Sequence, residues 1–172
     1  RGGASLLPGR DRFWTLGSDV GVAIGRRLFG PDGRSATPRI FISHTKTDLE
    51  QTARLAARLH DHIATRTRME VHFDEDDLER GRRLRAQLRH APHEAVVLVL
   101  RTDSYSESPW CTEELLVAKA ERVPIVTVLS TRAGESRTSA YGGNHRTIHW
   151  QPDREAEVVG RCVQAWLHHH HF

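Results

Sequence analysis

The residues best suited to chemistry lie in one short stretch, Thr102–Ala118, TDSYSESPWCTEELLVA. It follows the apolar run Ala95–Leu100 and precedes another, Pro124–Leu129. This order reads as strand, polar turn, helix, strand. Ser108-Pro109 marks the helix start, with a side-chain oxygen to cap free amides and a proline at the first helical position. Trp110 and Glu114 are four apart, so they share a helix face just below the turn. A carboxylate beside an aromatic ring, at the carboxyl end of a buried strand, is a candidate active-site group. Glu113 is adjacent, and spacing does not choose between the two glutamates.

The elements around this stretch alternate. Arg39–Ser43 (RIFIS) is a short β-branched and aromatic strand, followed by the polar turn His44–Asp48. Asp48–Ile63 is an amphipathic helix, with Leu49, Ala53, Ala56, Leu59 and Ile63 near one face. Met69–Phe73 is the second strand. An acidic loop, Asp74–Gly81, leads to an arginine-rich helix that ends near Arg89. Ala95–Leu100 is the third strand, continuously aliphatic as in a parallel sheet covered on both faces. Pro109–Arg122 is the helix carrying Glu114, and Pro124–Leu129 is the fourth strand. A polar loop over Ser130–His145 precedes the fifth strand, Arg146–Trp150, and a closing helix over Asp153–Leu167.

Strands alternating with helices predict an α/β fold with right-handed crossovers. The expected architecture is a flavodoxin-like five-stranded parallel sheet, order 2-1-3-4-5, with helices on both faces. Ligands of such sheets bind beyond the carboxyl ends of the strands, where the order reverses between the first and third. Those ends carry Ser43–Asp48 and Arg101–Trp110. Topology thus points to the stretch that holds Glu114.

Ahead of the sheet, residues 1–37 read as an N-terminal extension. Its lead, Arg1–Arg10, has no periodicity. A short amphipathic helix then spans Ser18–Phe29, with Val20, Ile24 and Leu28 on one face, and Asp32–Pro38 forms a turn-rich linker. The helix is expected either to pack on its own domain or to meet a missing domain or a neighbouring protomer. Residues 38–168 form the main domain, and 169–172 a His-rich tail.

The 172 residues carry a net charge of +3 at pH 7. Lys46 and Lys119 are the only lysines, so the basic residues are almost all arginine. That bias looks more like a GC-rich bacterial genome than a nucleic-acid-binding surface, and nucleic acid is disfavoured as a partner. No apolar run approaches the roughly 20 residues of a membrane helix, so no membrane partner is expected. Cys111 and Cys162, without framework spacing, suit free thiols in a cytoplasmic setting. The histidines lack ligand spacing, and the Asp74–Asp77 run lacks EF-hand spacing, so no metal is expected. The absence of Gly-x-Gly-x-x-Gly and of a Walker loop disfavours Rossmann-type dinucleotide binding and phosphoryl transfer. The arginines Arg80, Arg82, Arg83, Arg85 and Arg89 read as a solvated helix face, or as an attractor for a pyrophosphate or an acidic loop.

Three segments resemble the Toll/interleukin receptor (TIR) domains. RIFISHTKTD (Arg39–Asp48) is similar to the family's first box. Phe73–Gly81 is similar to its loop after the second strand, which borders the ligand site. SYSESPWCTEEL (Ser104–Leu115) resembles its Ser-x-x-Trp-Cys-x-x-Glu-Leu signature. The resemblance covers roughly Pro38–Leu167. Some members of this family are adaptors, whereas bacterial, plant and some animal members cleave NAD+ between nicotinamide and ribose. The resemblance assigns the catalytic role to the glutamate four after the signature tryptophan, Glu114. Ser43 and His44 lie at the switch point, where a hydroxyl or backbone amide could reach ribose or phosphate, although His44 also reads as a loop histidine. Phe41 reads as a core residue or a wall of the nicotinamide pocket, and Trp110 as a wedge at the helix start or a ligand contact. Asp74, Ser104 and Tyr105 complete the candidate substrate contacts, with NAD+ as substrate and no separate cofactor.

The expected function is an NAD+ glycohydrolase or cyclase, the effector of a bacterial, anti-phage defence protein. It would be activated by self-association with other TIR domains and joined to a further domain or partner missing from this chain. The alternatives are a non-catalytic TIR–TIR module and, third, a deoxyribosyltransferase-like enzyme.

Overall fold

In the computed structural model the described residues are 8–29, 37–72, 77–90, 94–133 and 145–171. They form a five-stranded parallel sheet, order β2-β1-β3-β4-β5, from β1 (Arg39–His44), β2 (Glu70–His72), β3 (Ala95–Arg101), β4 (Ile125–Leu129) and β5 (Arg146–His149). The helices are α1 (Pro8–Phe29), α2 (Leu49–Arg66), α3 (Asp77–His90), α4 (Pro109–Ala120) and α5 (Glu155–His171). The predicted strand order and the two-sided helical cover are both present.

Alternation along the strands divides the core into two. On β1 and β3, Ile40, Ile42, Leu98 and Leu100 pack with Leu59, Ile63, Val158 and Trp166 of α2 and α5. Phe41, Val97 and Val99 face the other way, onto Leu88, Cys111, Leu115 and Ala118 of α3 and α4. Burial on both faces explains why β3 reads as an unbroken aliphatic run. The period-two rule also places Ser43 on the α4 side with Phe41, and His44 on the opposite side.

Three helix boundaries differ from the sequence reading. α1 begins at Pro8, ten residues before Ser18. Its docking face is made of small residues rather than an aliphatic stripe, so hydrophobic periodicity missed it. A Cβ on Gly21 would meet Val163 at 2.6 Å, and one on Gly25 would meet the Trp166 ring at 2.1 Å. Such close approach is what glycine permits. The Val20 and Ile24 side chains, read as one apolar face that packs on its own domain or meets a partner, are exposed.

α3 starts at Asp77, so Gly81 lies inside the helix rather than ending the acidic loop. α5 runs on to His171, making the histidine run helical rather than a separate tail.

The arginines of α3 have surface partners where their side chains are described. Arg85 pairs with Glu113 at 3.2 Å and Arg89 with Glu121 at 2.8 Å, tying α3 to α4. No helix among the described residues is long and apolar enough to cross a membrane.

Candidate active site

The α4 start is built as its sequence specifies. Ser108 is the N-cap, its Oγ accepting from the Cys111 N–H at 3.3 Å, and Pro109 follows at the first helical position. The helix then turns Cys111, Glu114, Leu115 and Ala118 inward. Glu114 therefore enters the seam between α4 and the carboxyl end of β1, where it is 4% exposed.

There the Ser43 hydroxyl donates to Glu114 Oε2 at 2.5 Å, and the Tyr105 hydroxyl lies 2.8 Å from Ser43 Oγ. Ser43 has one proton and directs it at the carboxylate, so Tyr105 donates to Ser43. The Cys111 carbonyl is a longer, secondary acceptor for Tyr105, at 3.4 Å. Burial, then the Cys111 thiol and the Glu114 carboxylate, push the Tyr105 pKa well up, outweighing the Ser43 hydrogen bond and Arg101. Tyr105 thus stays a neutral donor at physiological pH. Tyr105→Phe is expected to lower stability by about 1 kcal/mol, measurable by urea denaturation, because Ser43 loses a buried donor.

The two neighbouring glutamates separate cleanly. Glu113 points outward to Arg85, whereas Glu114 points inward to Ser43. Sequence spacing does not say which of the two turns inward; the rotation of the helix on the sheet turns Glu114 in and Glu113 out.

The structure brings Ser43, Tyr105 and Glu114 together and places the other described candidate residues apart from this group. Phe41 is buried in the α3–α4 core and stacks on His72, with ring centroids 4.8 Å apart. Burial lowers the His72 pKa; Arg39 adds to the lowering and Glu70 opposes it. His44 is buried, with Nδ1 3.2 Å from the Thr45 carbonyl. Ser104 is buried at the start of a 3-10 turn, Tyr105–Glu107. Trp110 sits at the first turn of α4, four residues before Glu114, and is 43% exposed. Asp74 lies outside the described residues.

Two carboxylates that sequence reasoning did not single out fasten the loops around the site. Asp48 accepts the Ser104 N–H at 3.0 Å, joining the β1–α2 loop to the β3–α4 loop. Asp103 accepts the N–H groups of Arg132, at 3.0 Å, and Ala133, at 3.1 Å, joining the β3–α4 loop to the chain after β4. Both residues follow strand ends in polar turns, where aspartate commonly binds backbone amides, and that was the available signal.

Burial alone would raise the Asp48 pKa. The Thr102 and Ser104 hydroxyls, the Ser104 N–H and the Arg132 charge outweigh it and hold the carboxyl below its usual range. A depressed pKa in the folded state stabilises the fold above the unfolded-state value of about 3.9 and is lost as pH falls through the folded value. Asp48→Asn is therefore expected to cost about 1–2 kcal/mol at neutral pH. The gap in thermal midpoint between the two proteins should close as pH drops below about 4.

A cavity of about 220 Å³ lies elsewhere, between α1 and the Thr67–Met69 segment that leads into β2. Ser18, Asp19, Val22, Arg26 and Arg68 line it, at the amino end of the sheet and away from Glu114. Among the described residues, no three His, Cys, Asp or Glu side chains gather as a metal site.

Fold and site together define a doubly wound α/β domain with a buried, hydroxyl-held carboxylate at the topological switch point. The chain belongs to the TIR domain family, whose sequence profile matches residues 40–159. The chain is also similar to vesicle-associated protein 1-4 of Arabidopsis thaliana, 28% identical over 105 residues. That similarity covers 57% of this chain and 18% of the plant protein. TIR domains commonly self-associate, and the family includes NAD+-cleaving enzymes.

Proposed function

We propose that this TIR domain cleaves the bond between nicotinamide and ribose in NAD+, with Glu114 as the catalytic carboxylate. One observation carries the reading: Glu114 sits at the carboxyl ends of β1 and β3 with a hydroxyl, Ser43, already on its Oε2. A carboxylate that accepts one hydroxyl in this place is suited to accept those of a ribose. As the glycosidic bond breaks, positive charge develops on the ribose. Nicotinamide leaves as a neutral base, so no general acid is required, unlike the two-carboxylate scheme of ordinary glycosidases. A single preorganised negative charge then lowers the barrier directly. Hydrolysis of the cation yields ADP-ribose, and internal capture yields its cyclic form.

Trp110, 43% exposed in the first turn of α4, offers an aromatic face for the substrate to stack on. Tyr105 acts behind Ser43 rather than on the substrate, as a residue that sets the hydroxyl's direction. The wider reading is a bacterial, cytoplasmic, anti-phage effector that turns over NAD+ once its TIR domains assemble, with a further domain or partner supplying the trigger.

A second reading, a non-catalytic interaction module, is favoured by a specific observation: Glu114 is 4% exposed, so its carboxylate is closed off in the isolated chain. The test is NAD+ consumption and nicotinamide release by the purified chain at high concentration, with and without a crowding agent. Turnover on assembly supports the enzyme. No turnover in any assembled state supports the docking module. A parallel panel of free nucleosides separates NAD+ cleavage from deoxyribosyl transfer.

A further inference from the structure

α1 has two unlike faces. Toward α5 it presents Trp14, Ser18, Gly21, Val22 and Gly25, and this face is packed except at the cavity that Ser18 and Val22 help to line. Gly21 and Gly25 lie against Val163 and Trp166, and Gly160 of α5 lies against the Trp14 ring. The Arg161 guanidinium covers the same ring at 5.0 Å. Away from α5, the helix presents Phe13, Leu16, Val20 and Ile24, exposed by 67%, 66%, 48% and 44%. Spacings of three, four and four place them in one stripe down the helix. They are four of the six exposed large apolar side chains among the described residues, so the apolar surface is concentrated here rather than scattered.

Gly17 lies in this stripe, beside Phe13, Val20 and Ile24. A Cβ there would meet nothing within 4 Å. Glycine in an exposed helix interior costs about 1 kcal/mol relative to alanine. The two glycines on the inner face have a packing reason for that cost. Gly17 has none among the described residues, and close approach by a second backbone would supply one.

We propose that the outer face of α1 is a docking surface for a second copy of this chain, with the two α1 helices packed antiparallel about a two-fold axis near Gly17–Val20. The stripe is self-complementary about that centre. Antiparallel apposition sets Phe13 opposite Ile24 of the other copy and drops Val20 of the other copy over the space at Gly17, beside Leu16. Such reciprocity is what an isologous interface requires.

The four side chains would form the apolar centre of the contact. A standard interface buries about 800 Å² per partner, more than these four supply alone. The helix backbone at Gly17 and the flanking Arg12, Asp19, Ala23 and Arg27 lie where they would complete it. α1 covers the α5 face of the sheet and Glu114 lies on the α4 face, so pairing through α1 leaves the surroundings of Glu114 unchanged in both copies. The inference does not depend on the activity proposed above.

Sedimentation of the whole chain from low to high micromolar concentration tests it, beside Val20→Glu, Leu16→Gln and Gly17→Ala. The expected result is a concentration-dependent dimer whose dissociation constant rises at least about 30-fold in Val20→Glu and Leu16→Gln. Both positions are exposed, so the far-ultraviolet circular dichroism of these variants should stay unchanged. Gly17→Ala separates an interface from a bare surface. On a bare surface it only raises the thermal midpoint. At the proposed interface it raises the midpoint of the dilute monomer and weakens the dimer. A chain monomeric throughout the range overturns the proposal, and would assign the stripe to another segment of a longer protein. So would a dimer that Val20→Glu leaves intact.

Discussion

Glu114→Gln is expected to lower NAD+ turnover about 100-fold or more, while the protein stays folded. The amide keeps an acceptor for the Ser43 hydroxyl, which now lies 2.5 Å from Oε2, so packing at the head of α4 is preserved. What disappears is the negative charge that faces the developing positive charge on ribose. A preorganised charge in a site closed to water counts for far more than the same charge in bulk solvent. The control is Glu113→Gln, one residue away in sequence but on the outer surface beside Arg85. It should leave turnover within a few-fold of the parent. Equal loss in both variants, or full activity in Glu114→Gln, would remove Glu114 from the chemistry. Nicotinamide release followed by chromatography, with thermal midpoints as a folding check, gives the answer.

The largest expected effect on stability lies on the opposite face of the sheet. Trp166→Ala should cost about 3–5 kcal/mol, the usual range for truncating a large aromatic in a well-packed core. Trp166 is fully buried and fills the space between α5 and Gly25 of α1. For a domain of this size the thermal midpoint should fall by roughly 10 °C. Neighbouring side chains cannot easily relax into the cavity, because α1 meets α5 through glycines and has little mass to offer there. At temperatures where the variant remains folded, its activity per molecule should match the parent, since the indole lies across the sheet from Glu114. A loss below about 1 kcal/mol would mean that α1 is not anchored through this ring. The two variants thus exchange roles, one affecting activity without stability and the other stability without activity.

Much of this organisation is local and was legible in the chain. Strand β3 is aliphatic from Ala95 to Leu100 because both of its faces are covered there, so its burial and parallel setting follow from composition. Ser108-Pro109 caps α4 through contacts within one helical turn, so the helix start can be read to the residue. The order of strands and helices leaves few right-handed topologies, and the sheet adopts the expected one. Placing the candidate site at the ends of β1 and β3 needed nothing further.

What remained open depended on contacts between distant residues. Choosing Glu114 over Glu113 as the inward carboxylate depends on how α4 is rotated against β1, and on Ser43 standing 71 positions earlier in the chain. Tyr105 reads as one more polar aromatic in a turn until the fold places its hydroxyl behind Ser43. Asp48 and Asp103 become loop fasteners only when three separate strand ends lie side by side.

α1 shows the same limit most plainly. Val20 and Ile24 invite burial, yet the fold buries Gly21, Val22 and Gly25 instead. Close helix packing rewards small side chains that carry no hydrophobic signal, and only the position of α5 determines which face is covered.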